Sequence, residues 1–284
     1  MSEREGGFTL RRILVALDAS AHSLAAVEAA AELAAAMQAE MEGLFVEDIN
    51  LIRLASLPCT REVRHTASVA SLDLEQMERA LKAQAAEARQ ALAAAARRAH
   101  VQWSFRVARG PVAHEVLAAA AAADLLTLGK LGRSRSPQAR LGSTALRMLA
   151  GAPVALLLVE HRRVGAYRLR RVLVVYDGSE GAGRALDVAA RLAEASCVNL
   201  TVLMLTDDSE AMQDMKLVAA HAIERRSIEV RWQALGLFEG HSLLRVIQSD
   251  EAALLVLSLS SPRLPQATVG KLLEHIRNPV LLIR

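Results

Sequence analysis

The reading of the fold turns on Leu125-Leu126-Thr127-Leu128-Gly129-Lys130-Leu131-Gly132 and, after nine intervening residues, Gly142-Ser143-Thr144. The run Leu125–Leu128 has the apolar continuity of a strand buried on both faces of a parallel sheet. Thr144-Ala145-Leu146-Arg147-Met148-Leu149 begins a helix, with Ser143 expected as its N-cap. The glycines therefore lie on a loop that leaves the carboxyl end of a strand and returns to a helix N-terminus. An open α/β sheet places its ligand there. A helix start offers unpaired N–H groups and roughly half a positive charge, which suits a phosphate. Gly129, Gly132 and Gly142 let backbone approach a ligand closely, and Lys130, Arg133 and Arg135 add cations. A glycine-rich connection that binds nothing fits the same residues, and this alternative stays open at this point.

The chain contains the same unit twice. Leu10-Arg11-Arg12-Ile13-Leu14-Val15-Ala16-Leu17-Asp18-Ala19-Ser20 returns as Leu169-Arg170-Arg171-Val172-Leu173-Val174-Val175-Tyr176-Asp177-Gly178-Ser179, at an offset of 159. Near the ends, Ala152-Pro153-Val154 aligns with Asn278-Pro279-Val280 at 126. Agreement at both ends and between makes this a tandem duplication. The first unit reads as strands at 13–17, 41–46, 103–107, before Gly129 and 154–159, with helices between them, the longest over about 72–98. Five strands alternating with four helices predict a doubly wound parallel sheet. The basic connection Arg162–Arg168 divides the chain into domains at 8–161 and 168–284. The residues missing from the second unit come from the region after its second strand. In the first unit that region includes Glu47–Ser71, read equally as a lid or as a surface excursion.

Composition narrows the classes. The 284 residues are 52% hydrophobic and only 3% aromatic, and 34 basic against 31 acidic residues leave a net charge of +3. No concentrated basic patch with interleaved aromatics marks a nucleic-acid surface. The run Val116–Leu128 is interrupted by Asp124 and too short to span a bilayer. Cys59 and Cys197 stand apart without metal-ligand spacing, and the polar N-terminus shows no signal peptide, so a soluble cytoplasmic protein is expected. The histidines form no metal pair, no nucleophilic triad can be picked out, and no general base for phosphoryl transfer is evident. No catalytic residue and no metal ligand are assigned.

The strand ending in Asp18, the Gly-x2-Gly-x9-Gly-Ser loop and the duplication together resemble a tandem protein of the universal stress protein family. The resemblance covers about Arg11 to Arg284 and implies a five-stranded parallel-sheet domain of the adenine nucleotide α-hydrolase-like type in each half, arranged as a pseudo-twofold pair. It implies ATP as ligand, with or without Mg2+. It places Asp18 at the adenosine side, Val46 against adenine, and Gly129, Gly132, Gly142 and Ser143 around ribose and phosphate. Ala16, Lys130, Arg133 and Thr144 rank behind these. Asp18 also fits a turn or a helix cap, and Val46 fits core packing. In the second unit Ser258 and Ser261 replace two of the glycines, with Gly270-Lys271 expected in place of Gly142-Ser143. Nucleotide is therefore expected only in the first unit, with the terminal strands of the two units paired. The resemblance implies a stress-response regulator with an unidentified protein partner and leaves homodimerisation open. A slow ATPase or phosphotransferase, and a nucleotide-free scaffold, are the alternatives.

Overall fold

The computed structural model describes residues 9–57, 61–63, 69–71, 74–132, 140–161, 168–206, 208–235, 240–249 and 253–284. In the first unit these form β1 (Arg12–Leu17), α1 (Ala21–Met37), β2 (Glu40–Asp48), α2 (Ile49–Ala55), β3 (Arg61–Val63), β4 (Val69–Ser71), α3 (Leu74–Ala99), β5 (Trp103–Gly110), α4 (Val112–Ala120), β6 (Leu125–Gly129), α5 (Ser143–Gly151) and β7 (Ala155–Val159). The second unit holds β8 (Arg171–Tyr176), α6 (Glu180–Ala195), β9 (Asn199–Leu205), α7 (Ser209–Ile223), β10 (Val230–Leu235), α8 (Gly240–Ser249), β11 (Ala253–Ser258), α9 (Gln266–His275) and β12 (Val280–Ile283).

Successive residues of β1 feed opposite cores. Ile13, Val15 and Leu17 belong to the core that holds the buried faces of α1, α3 and α6, while Leu14 belongs to the core that holds those of α4 and α5. This two-sided burial is why the central strands are continuous apolar runs. Alanine does the close packing. Ala26, Ala29, Ala30 and Ala34 of α1 and Ala182, Ala185, Ala189 and Ala193 of α6 are buried against the sheet, and the two helices pack on one another.

The two expected five-stranded sheets are fused into one of ten strands, ordered β10-β9-β8-β11-β12-β7-β6-β1-β2-β5. Within each half every pairing is parallel, and the halves join antiparallel through β12 and β7, with Leu281 opposite Leu157. That ladder corrects the repeat's last offset. Val159 lies beside Gly129 and Ile283 beside Ser258, which makes the offset 124 rather than 126. The two Xaa-Pro-Val stretches are alike in sequence but two residues out of structural register. At 124, Leu157 and Leu281 become equivalent and face each other, as a twofold relation requires.

The offset is still 159 at Met41 and Leu200 and has fallen to 127 at their ladder neighbours Trp103 and Val230. The excess length of the first unit is therefore between β2 and β5, where it was expected. The stretch is not without structure. Asp48 caps α2 by accepting the Asn50 N–H at 2.9 Å, α2 packs on α3, and β3 pairs antiparallel with β4. A seven-residue helix and three-residue strands are too short to show a period. Cys59 lies outside the described residues.

Candidate ligand-binding edge

β1 ends in a tight turn. Asp18 Oδ1 accepts the N–H of Ser20 at 3.0 Å, Ala19 takes φ 55°, and Ser20 caps α1 by accepting the Ser23 N–H at 3.1 Å. Asp18 thus performs the structural role open to it in sequence, using one carboxylate oxygen. Its other oxygen faces the glycine loop: a Cβ on Gly132 would stand 3.1 Å from Oδ2. Gly129 ends β6 directly under α1, where a Cβ would be 2.7 Å from the His22 carbonyl carbon and 2.9 Å from the Ser23 nitrogen. Only glycine fits there without displacing helix backbone.

The loop closes when the Gly142 N–H donates to the Lys130 carbonyl at 2.8 Å. Gly142, not Ser143, is the N-cap of α5 (φ −71°, ψ 154°), and it supplies no side-chain cap. Ser143 is the first helical residue and is exposed, with half-buried Thr144 after it. The N–H groups of the first turn of α5 therefore lack the side-chain oxygen that most helix starts carry.

Val46 follows Phe45, the ladder neighbour of Leu17, and so lies beside Asp18. It pairs with Ala108, and with Ala16 these half-buried residues line the α4–α5 face of the sheet. Asp18, Gly129, Gly132, Gly142 and the start of α5 thus meet at one sheet edge, with Ala16 and Val46 as an apolar shelf beside them. Further out, Arg109 bridges buried Glu47 at 2.8 Å and Glu78 of α3 at 3.6 Å.

Lys130 differs from its expected place. Its side chain is only 1% exposed, and its ammonium donates to Glu160 Oε2 at 3.2 Å and to the carbonyl of Ile276 in the second unit. It faces the seam between the units rather than the loop's open side. Burial lowers its pKa, against the raising effect of Glu160. Arg133 lies outside the described residues.

His22 carries no spacing signal, yet it links this edge to the seam. The His161 N–H donates to its Nδ1 at 2.9 Å, and the two rings stand edge-to-face at 6.1 Å. Burial lowers the His22 pKa, with Glu160 and Asp18 raising it and His161 and Lys130 lowering it further.

The second unit repeats the turn but not the opening. Asp177 Oδ1 accepts from the Ser179 N–H at 3.0 Å and hydroxyl at 2.6 Å, and Gly178 takes φ 80°. Ser261, at the place of Gly132, donates its hydroxyl to Asp177 Oδ2 at 2.5 Å and accepts the Leu264 N–H at 3.1 Å. Arg263 donates from its guanidinium to the carbonyl of Leu205, the counterpart of Val46 at offset 159. Burial pushes the Asp177 carboxyl up, but hydrogen bonds from Ser179, Ser261 and the Arg263 backbone outweigh it and hold the pKa below the ordinary value. Gly270 does not stand for Gly142. It lies inside α9, whose N-cap is Pro265.

A glycine loop, an acidic strand end and a helix start without a side-chain cap meet at the carboxyl edge of a mostly parallel sheet, in a doubly wound α/β protein. The model of the universal stress protein family matches residues 9–160 and 168–284, and the chain belongs to that family. Among solved structures, a universal stress protein from Archaeoglobus fulgidus DSM 4304 is similar over 96% of this chain and 98% of its own, at 18% identity and a TM-score of 0.72. A putative universal stress protein from Pseudomonas aeruginosa UCBPP-PA14 is similar over 96% and 93%, at 16% identity and a TM-score of 0.58. At these identities the likeness is one of fold. No curated protein matches the chain in sequence. Among the described residues, no helix is long and apolar enough to cross a membrane.

Proposed function

We propose that the chain is a stress-response regulatory protein that binds ATP in its first unit, with the second unit as structural and regulatory partner. The observation that carries this reading is the contrast between the two equivalent edges. In the first, Gly132 brings no side chain to the Asp18 carboxylate, where a Cβ would stand 3.1 Å from Oδ2; in the second, Ser261 sets its hydroxyl on Asp177 Oδ2. The first unit also offers what the parts of ATP need. Asp18 accepts from ribose hydroxyls, the shelf of Ala16 and Val46 takes the base, and Gly129 and Gly132 lead the chain past the polyphosphate. Ser143, Thr144 and the uncapped N–H groups of α5 meet the phosphates, with or without Mg2+. Family membership supports the stress-response role.

Mass spectrometry of the small molecules released on denaturation tests the proposal, run beside Gly142→Asp, which sets a carboxylate against the phosphates. The expected result is about one ATP per chain in the wild type and none in the variant. Saturating ATP should raise the melting point, since ligand at 100 times Kd stabilises by about 2.7 kcal/mol. Wild-type protein without nucleotide, unchanged by added ATP, overturns the reading. Release of ADP in place of ATP, with turnover lost in Gly142→Asp, turns it into slow hydrolysis.

A further inference from the structure

We propose that Ser261 and Arg263 are an internal substitute for a nucleoside, holding the ligand edge of the second unit occupied by the protein's own loop. The inference rests on the proposed adenine-nucleotide reading of the first unit and explains why the second would be denied to ligand. The second edge has not collapsed. Asp177, Gly178 and Ser179 reproduce the turn of Asp18, Ala19 and Ser20, down to a residue of positive φ and a serine cap. The close crossing of helix and strand is preserved by an exchange of side chains. Gly129 lies under His22 in the first unit, whereas Ser258 lies under Gly181 in the second, at the same two positions. A Cβ on Gly181 would meet Ser258 Oγ at 2.6 Å, so the side chain has simply moved from helix to strand.

With the frame intact, the difference is in what occupies it. A nucleoside would present a hydroxyl to the acidic strand end and a planar nitrogen donor near the end of the second strand. Ser261 presents its hydroxyl to Asp177 Oδ2 at 2.5 Å. Arg263 presents a planar N–H donor to the Leu205 carbonyl. Both polar partners are thereby satisfied without ligand, and a nucleoside would have to displace a charge-assisted hydrogen bond at each. The hydroxyl is itself fixed, since Ser261 Oγ also accepts the Leu264 N–H. Removing the two side chains withdraws the Ser261 hydroxyl from Asp177 Oδ2 and the guanidinium from the Leu205 carbonyl within a preserved frame, while Ser179 and the Arg263 backbone stay on the carboxylate. The loop before α9 begins with Ser258 and Ser261 instead of glycines, so the emptied edge suits adenosine better than ATP.

The test is equilibrium dialysis of radiolabelled adenosine against full-length protein, with ATP in saturating excess to fill the first unit. The wild type should bind almost no adenosine, and Ser261→Gly/Arg263→Ala about one per chain, because the competing internal donors are gone. A double variant with wild-type circular dichroism that binds no adenosine overturns the inference. If the double variant does not fold, Arg263→Ala alone is measured, and an adenosine affinity raised less than tenfold over wild type overturns it equally. Failure of the underlying reading has a different signature: wild-type protein that takes up neither ATP nor adenosine in either unit.

Discussion

The exchange of side chains between Gly129/His22 and Ser258/Gly181 makes a quantitative prediction about the first unit. Gly129→Ser puts a Cβ 2.7 Å from the His22 carbonyl carbon and Cβ and 2.9 Å from the Ser23 nitrogen. The obstacle is helix backbone, which cannot rotate away, so the cost belongs at the upper end of the overpacking range, about 3 kcal/mol. His22→Gly adds glycine to the first turn of α1, for about 0.5–1 kcal/mol. It also removes the acceptor of the His161 N–H, for about 1 kcal/mol more. If the sites were independent, the double variant would lose about 5 kcal/mol. It reproduces the pairing of the second unit, however, and without the His22 Cβ the helix can settle by a few tenths of an ångström. Contact with backbone remains, so recovery is partial, with a coupling of about 1–2 kcal/mol expected. Urea titrations of the four proteins followed by circular dichroism measure it. Additivity within about 0.5 kcal/mol would refute the claim that the two positions form one steric unit.

Four further outcomes are expected. Thr127→Val should leave stability unchanged or raise it by up to about 1 kcal/mol in urea titration, because the buried Thr127 hydroxyl has no hydrogen-bond partner among the described residues and valine has the same shape. Lys130→Met should cost about 1–3 kcal/mol, for the Ile276 carbonyl loses its donor while Glu160, 30% exposed, stays hydrated; the ATP per chain at saturation should not change. His22 is held below the ordinary histidine value of 6.5, so its unfolded form takes up a proton first as pH falls. Stability should therefore be unaffected by this group above that value and decline below it, and His22→Asn should flatten the decline below pH 6.5 in urea titrations. Residues 8–161 alone should self-associate through β7, read by sedimentation.

The features legible in sequence were those written in spacing or period. β1, α1 and the loop from Gly129 to Gly142 are local patterns, and the repeat shows itself at fixed offset. The misreadings have one cause, a contact with residues far along the chain. Gly-Ser-Thr favours serine as a cap by propensity, but the bond from Gly142 to the Lys130 carbonyl starts the helix one residue earlier. Nothing beside Lys130 indicates that its acceptor is Ile276, 146 residues away. The prolines align the last strands in sequence, whereas the ladder between β7 and β12 sets their register. Ser258 reads in sequence as a lost glycine, but it faces Gly181, 77 residues earlier, and that pair keeps the close crossing of helix and strand.

The seam between the units gives the second one a role even without a ligand. β7 and β12 are buried at every residue, and each would be the edge strand of its half. A long apolar edge with unpaired N–H and C=O groups invites a neighbouring strand, and here each supplies the other's partner. The outer edges are built differently. β5 and β10 are exposed or half-buried at every residue but the last, and Arg106 of β5 pairs with Glu42 of β2 at 2.5 Å. The protein therefore has two edges suited to water and two that are not, and the latter are spent on each other. Lys130 lies where this joint meets the glycine loop: its N–H donates to the Val159 carbonyl of β7, its carbonyl closes the loop on Gly142, and its ammonium reaches Ile276. Lys130 thereby ties the end of β6 to α5, to β7 and to the second unit through one residue.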